Sequence, residues 1–277
     1  MLDVFTAPLE YAYFRSALAA CISLSLSFTS LGGYIVLRRM SLMGDALSHS
    51  ALPGVAIGYA VAGLSLPAMS IGGFLAGLVV ALVSGYVSRS TILKEDATLV
   101  SFYLIALALG VLIVTKTGSN IDLMHIMLGN PLAVDQHALI FIGTVSSLTL
   151  VLLAIIYRPL TLECFDPEFM RSLGWRGGRY YAIFIVLVVA NLISAIHALG
   201  TLMALGLMML PAVAARFWVH HLGRYLMLGS LLSVFASIGG LYLSHWFSLP
   251  TGAAIITMAG LTYVVSLVIH MQRRLYA

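Results

Sequence analysis

The chain has 277 residues, of which 61% are hydrophobic and 9% charged, with a formal net charge of +4 and a mean hydropathy of +1.05. A soluble domain carries about 25% charged residues, so this chain cannot cover itself against water and its exterior must face lipid. Its basic residues are scattered between apolar stretches, which excludes a nucleic-acid surface, and the long apolar stretches exclude a membrane barrel, whose segments are short and alternating.

A membrane helix needs about 20 mostly apolar residues. Nine stretches are candidates: 11–37, 46–63, 66–87, 97–114, 138–157, 181–196, 201–219, 225–243 and 252–270. The second is the weakest, because Ser48, His49, Ser50 and Pro53 interrupt its start. The expected fold is therefore an all-α integral membrane protein, a bundle of eight or nine transmembrane helices forming one domain over 1–277. The stretch 121–134 is apolar but short, and Pro131 ends any helix there, so it reads as an interfacial or re-entrant segment. Asp3 and Glu10 stand where a cleavable leader would be basic, so the first stretch is expected to remain as an anchor. Cys21 and Cys164 lie far apart, one in an apolar and one in a polar stretch. No shared disulfide is expected, and neither has metal-site spacing.

Lysine and arginine set the orientation. With nine spans and the N-terminus outside, 12 of the 14 basic residues face the cytoplasm, leaving only Arg15 and Lys116 outside. The longest hydrophilic segment, 158–179, then lies inside. There Asp166 precedes Pro167 and can cap a short helix, with Glu168 in its first turn and Gly174 suited to its end. A plain solvated loop is the other reading of that segment. Gly54 with Gly58, and Gly73 with Gly77, are GxxxG pairs of the kind that lets membrane helices approach closely.

Chemistry concentrates in 38–58, RRMSLMGDALSHSALPGVAIG. Asp45 and His49 stand four residues apart, hence one turn apart on one helix face. Ionisable groups at the start of an apolar span mark an ion path or a paired site, and carboxylate with imidazole suits zinc, manganese or ferrous iron. Spacing alone leaves the alternative that Asp45 caps the helix and His49 bonds a backbone carbonyl. Two donors are fewer than the usual four of a closed zinc site; a symmetric homodimer would supply four. The remaining histidines read as ordinary interfacial residues. His125, His197 and His245 fall towards the predicted outer face, where receiving a metal at the entrance is the other reading, His220, His221 and His270 towards the inner, and His137 in a loop. No GxxxxGK[ST] phosphate loop, HExxH or GxSxG is present. The chain is expected to be no enzyme: any ATP hydrolysis that drives it belongs to a partner.

The run LRRMSLMGDALSHSALPGVAIGY (37–59) resembles the hallmark of the permease subunits of bacterial zinc/manganese ABC importers. SNIDLMHIMLGNPLAV (119–134) is similar to that family's outer segment after the fourth span. GTLMALGLMMLPAVAAR (200–216) is similar to its late span, with Pro211, Ala212 and Ala215 in the Pro-Ala-x-x-Ala ending. The likeness covers nearly the whole chain. It implies a fold like that of the vitamin B12 and siderophore permeases with fewer helices, in the bacterial plasma (inner) membrane. It also implies a second copy of the chain around a central path, a cytoplasmic ATP-binding subunit, and an outer metal-binding protein that delivers the ion. Asp45 and His49 would be the metal contacts, and 166–174, with Asp166, Glu168 and Gly174, the coupling helix that docks the ATPase. The N-terminal half and GSNIDLMHIMLGN (118–130) look most like the zinc-importing branch, so zinc is the expected ion. Manganese or ferrous iron by the same mechanism is the alternative, as is a stand-alone metal channel or secondary transporter. Against that last reading stands the shortage of intramembrane carboxylates for ion coupling.

Overall fold

The computed structural model describes residues 8, 10–63, 65–117, 134–174 and 177–275. Among these residues there are helices and no strands. In chain order they are α1 (Ala12–Leu37), α2 (Met43–Ser50), α3 (Leu52–Ala62), α4 (Leu66–Ser90), α5 (Glu95–Thr117), α6 (Gln136–Phe165), α7 (Pro167–Ser172), α8 (Gly177–Leu199), α9 (Thr201–Arg216), α10 (Leu222–Phe247) and α11 (Thr251–Leu275). Seven of them are long and apolar enough to cross a membrane: α1, α4, α5, α6, α8, α10 and α11. The stretches 46–63 and 201–219 supply the rest, the first as the pair α2 and α3, the second as the shorter α9. All nine apolar stretches are thus helical. The outer segment 119–134, with His125, lies outside the described residues except for Val134. Large side chains such as Leu112, Ile155, Met227, Phe235 and Val265 stand exposed along the long helices, as a lipid-facing surface requires.

One boundary differs from the sequence expectation. The fifth stretch was expected to end at 157 and open a hydrophilic segment, but α6 runs on through Pro159 to Phe165. Packing outweighs the proline here. Leu160 and Glu163, three residues apart on one face, are both buried, and Glu163 is held by Arg89. The polar segment begins only at Asp166.

By packing, the chain divides into two compact units. The first comprises Met1–Val36, Met124–Leu152 and Ser194–Ala277. In it α9 is enclosed, with Met203, Ala204, Leu207, Met208, Ala212, Ala214 and Ala215 buried. A Cβ on Gly32 of α1 would collide with the Met208 carbonyl, so the glycine sets how closely α1 meets α9. Pro211 lies inside α9 and has no N–H to give the carbonyl of Leu207, four residues earlier. The Thr29 hydroxyl of α1 donates to that carbonyl at 3.3 Å. Two further hydroxyl pairs join helices of this unit, Ser25 with Ser237 at 2.8 Å and Ser27 donating to Ser146 at 3.2 Å. In hydrocarbon such bonds replace what water would offer.

The second unit comprises Leu37–Leu123 and Leu153–Ile193. Its closest approach is α3 on α4, where a Cβ on Gly54 would strike the Gly72 carbonyl and one on Gly58 the backbone of Ala68. Gly73 faces Val55 and Ile193, and Gly77 faces Val189 and Ser50. The GxxxG pairs are packing devices inside this unit. Pro53 explains why 46–63 is broken. It cannot donate to the His49 carbonyl, and the helix stops at Ser50 and restarts at Leu52 with the proline in its first turn.

The Thr29 bond yields a prediction. Thr29→Val keeps the shape but leaves the Leu207 carbonyl unpaired, so stability in detergent should fall by about 1–3 kcal/mol, whereas Thr29→Ser should keep most of it. Thermal unfolding of the two variants side by side checks this.

Candidate functional site

The short helix α2 has two faces. Met43, Gly44, Ala46, Leu47, Ser48 and Ser50 are buried, while Asp45 and His49 form its open stripe. The serines turn back on their own helix, Ser48 to the Asp45 carbonyl and Ser50 to the Leu47 carbonyl, each at 2.8 Å. That leaves a carboxylate and an imidazole as the outward polar groups of α2. Their side chains are 48% and 28% exposed, and His49 Nε2 stands 3.5 Å from Asp45 Oδ1.

The capping alternative is not met. The N-cap of α2 is Leu42, no side chain caps it, and Asp45 lies inside the first turn. The gap is that of a carboxylate–imidazole pair, and it is also one that two donors to a single ion would span. Two donors each about 2.1 Å from an ion, subtending 90–110° at it, stand about 3.0–3.5 Å apart. No group of three or more His, Cys, Asp or Glu able to hold a metal occurs among the described residues. On α2 one chain presents two side chains of donor type, a carboxylate and an imidazole. Of the other histidines, His245 lies tilted against Tyr11 and edge-on to Phe14, and His270 lies tilted against Phe217, as aromatic packing partners. His197 falls on α8.

The second feature is α7. Asp166 caps it as the sequence suggests, accepting from the Phe169 N–H at 2.8 Å, with Pro167 in its first turn. Gly174 closes the segment at a φ of +74°, a conformation that favours glycine. Met170 is fully buried and anchors α7 inward, while Phe169 and Leu173, four residues apart, are exposed, as is Phe165 at the end of α6. The plain-loop reading of this segment is excluded. An exposed apolar ridge beside Glu168 and Arg171 is the kind of surface a protein partner covers.

Residues 10–270 match the model of the ABC 3 transport family. The chain belongs to that family. It is 32% identical to the manganese import system permease protein ScaB of Streptococcus parasanguinis over 266 residues, 96% of this chain and 93% of the relative. It is 31% identical to the manganese transport system membrane protein MntC of Halalkalibacterium halodurans over 259 residues, 93% of this chain and 87% of the relative. Among solved structures it resembles a chain of PsaBC from Streptococcus pneumoniae in complex with Fab, with a TM-score of 0.82 and 28% identity over 96% of this chain and 95% of that one. The chain is a multi-pass plasma-membrane protein with an ABC permease fold.

The α2 geometry predicts a weak cation site needing both donors. Titration with Co2+ as a visible-absorbing probe should give a signal that saturates in the wild type. Asp45→Asn or His49→Gln should each weaken binding by more than about tenfold.

Proposed function

We propose that this chain is the membrane-spanning permease of an ABC importer for a divalent first-row metal ion, and that manganese is its substrate. The observation that carries the reading is the Asp45–His49 pair, 3.5 Å apart on the open stripe of α2. Membership of an ABC transport family and relatives named for manganese import support it. The expectation of zinc gives way on those names. Asp and His bind zinc more tightly than manganese whatever the biological substrate, so the donor pair does not identify the ion that is carried.

In this reading two copies of the chain, each a single permease domain, bring their α2 stripes to a common path and supply four donors. An outer metal-binding protein releases its ion into the path. A separate ATP-hydrolysing subunit docks on α7, whose ends are set by Asp166 and Gly174 and whose first turn carries Glu168. ATP-driven movement of α7 opens the path inward, and the ion passes Asp45 and His49 to the cytoplasm. The chain itself does no covalent chemistry.

Two outcomes are expected. In right-side-out vesicles loaded with ATP and holding the permease with its ATPase, with the outer metal-binding protein supplied outside, uptake of 54Mn should require ATP and be lost in Asp45→Ala and His49→Ala. Uptake that persists without the ATPase would replace this reading with a stand-alone transporter, and transport of zinc but not manganese would restore the zinc branch. Separately, Glu168→Lys and Phe169→Asp should reduce copurification of the ATPase by at least about tenfold while leaving membrane insertion intact. Undiminished copurification would reduce α7 to a linker.

A further inference from the structure

Between α7 and α2, the second unit holds an aromatic ring shared by two arginines. Tyr181, near the start of α8, is buried. The guanidinium carbon of Arg38 lies over its ring at 4.3 Å from the centroid, and that of Arg89 at 4.8 Å. Each arginine is also paired with a carboxylate. Arg38 Nη2 donates to both oxygens of Glu95, at 3.3 and 3.1 Å, and Arg89 Nη2 to Glu163 Oε1 at 3.0 Å. Two cations gathered on one ring repel each other, and the two carboxylates offset that repulsion. The result ties together the turn after α1, the end of α4, the start of α5, the end of α6 and the start of α8.

Both ends of this cluster reach functional segments. Glu163 lies across Gly177, where a Cβ would collide with its carboxylate, and Met170 of α7 reaches the same glycine, its Sδ 3.1 Å from where that Cβ would be. Gly178 makes the corresponding room for Arg89. The anchor of α7 and the buried carboxylate of the cluster thus meet on one small residue. At the other end Met40 and Met43 line, with Tyr181, Glu95 and Gly85, a crevice with no space for a water molecule. Met43 begins α2, two residues before Asp45. Arg39, between Arg38 and Met40, has a φ of +61°, a conformation unusual for a residue with a side chain.

We infer that Tyr181 is a positioning residue that links movement of the docking helix α7 to the metal-bearing helix α2, with Arg38, Arg89, Glu95 and Glu163 as its clamp. The inference rests on the reading of α7 as the ATPase-docking segment. A packed, charge-compensated cluster transmits a displacement because it has no slack to absorb it. With the ring removed, α7 still docks and the ATPase still turns over, but α2 no longer follows.

The test reads ATP hydrolysed per manganese ion imported, in proteoliposomes holding the permease–ATPase complex. Tyr181→Leu should raise that ratio at least about fivefold with the ATPase still bound. Tyr181→Phe, which keeps the ring face, should stay within about twofold of wild type. Glu163→Gln, which keeps the ring and the packing but removes one compensating charge, should raise the ratio as Tyr181→Leu does. It decides the matter should Tyr181→Leu fail to assemble. An unchanged ratio in Glu163→Gln or in an assembled Tyr181→Leu complex overturns the inference, as does a Tyr181→Phe variant as uncoupled as Tyr181→Leu. Absence of ATP-driven uptake in the wild-type complex overturns the underlying reading instead, and a wild type that couples beside variants that also couple overturns the clamp alone.

Discussion

Hydrocarbon offers no hydrogen bonds, and this constraint organises the whole chain. It is felt most sharply at Pro53, Pro159 and Pro211. Each meets it differently. At Pro211 the orphaned Leu207 carbonyl takes a hydroxyl from Thr29 of another helix. At Pro53 the helix gives way and restarts, leaving α2 as an eight-residue piece. At Pro159 the helix continues, carried by the burial of Leu160 and the Arg89–Glu163 pair one turn on. The same constraint makes Asp45 and His49 informative. A carboxylate turned towards lipid is costly, so an open stripe carrying one belongs against water, an ion or protein.

The spans were legible because a long apolar stretch has few alternatives in a membrane. The break in 46–63 and the cap of α7 were legible because proline, aspartate and glycine act locally, through a missing N–H, a side-chain acceptor and a permitted positive φ. The extension of α6 was not. Arg158 and Pro159 look like an ending, and what overrides them is the pairing of Glu163 with Arg89, 74 residues from it. The Tyr181 cluster was invisible for the same reason. Arg38 and Glu95 are 57 residues apart, and neither pairing has a spacing rule. The glycine pair 177–178 left a mark, but its meaning, room for a carboxylate and a guanidinium to cross a helix start, appears only in three dimensions.

The choice of ion was not legible for a different reason. It does not reside in the donor pair. Carboxylate and imidazole rank the divalent metals in one fixed order, with manganese at the weak end. A site that must pass its cargo onward benefits from that weakness. Conduction requires binding favourable enough to admit the ion yet loose enough to let it leave. In the proposed dimer four such donors, two from each chain, would meet this for manganese, whereas zinc on the same donors would be held longer. On that proposed reading selectivity would fall to an outer protein that loads the path and to how briefly α2 stays closed around the ion. The second of these depends on how firmly α2 is tied to the docking helix. A slack connection would leave the ion on its donors after ATP had been spent, which is why a compact, charge-compensated cluster between α7 and α2 suits a weak site better than a stronger site would.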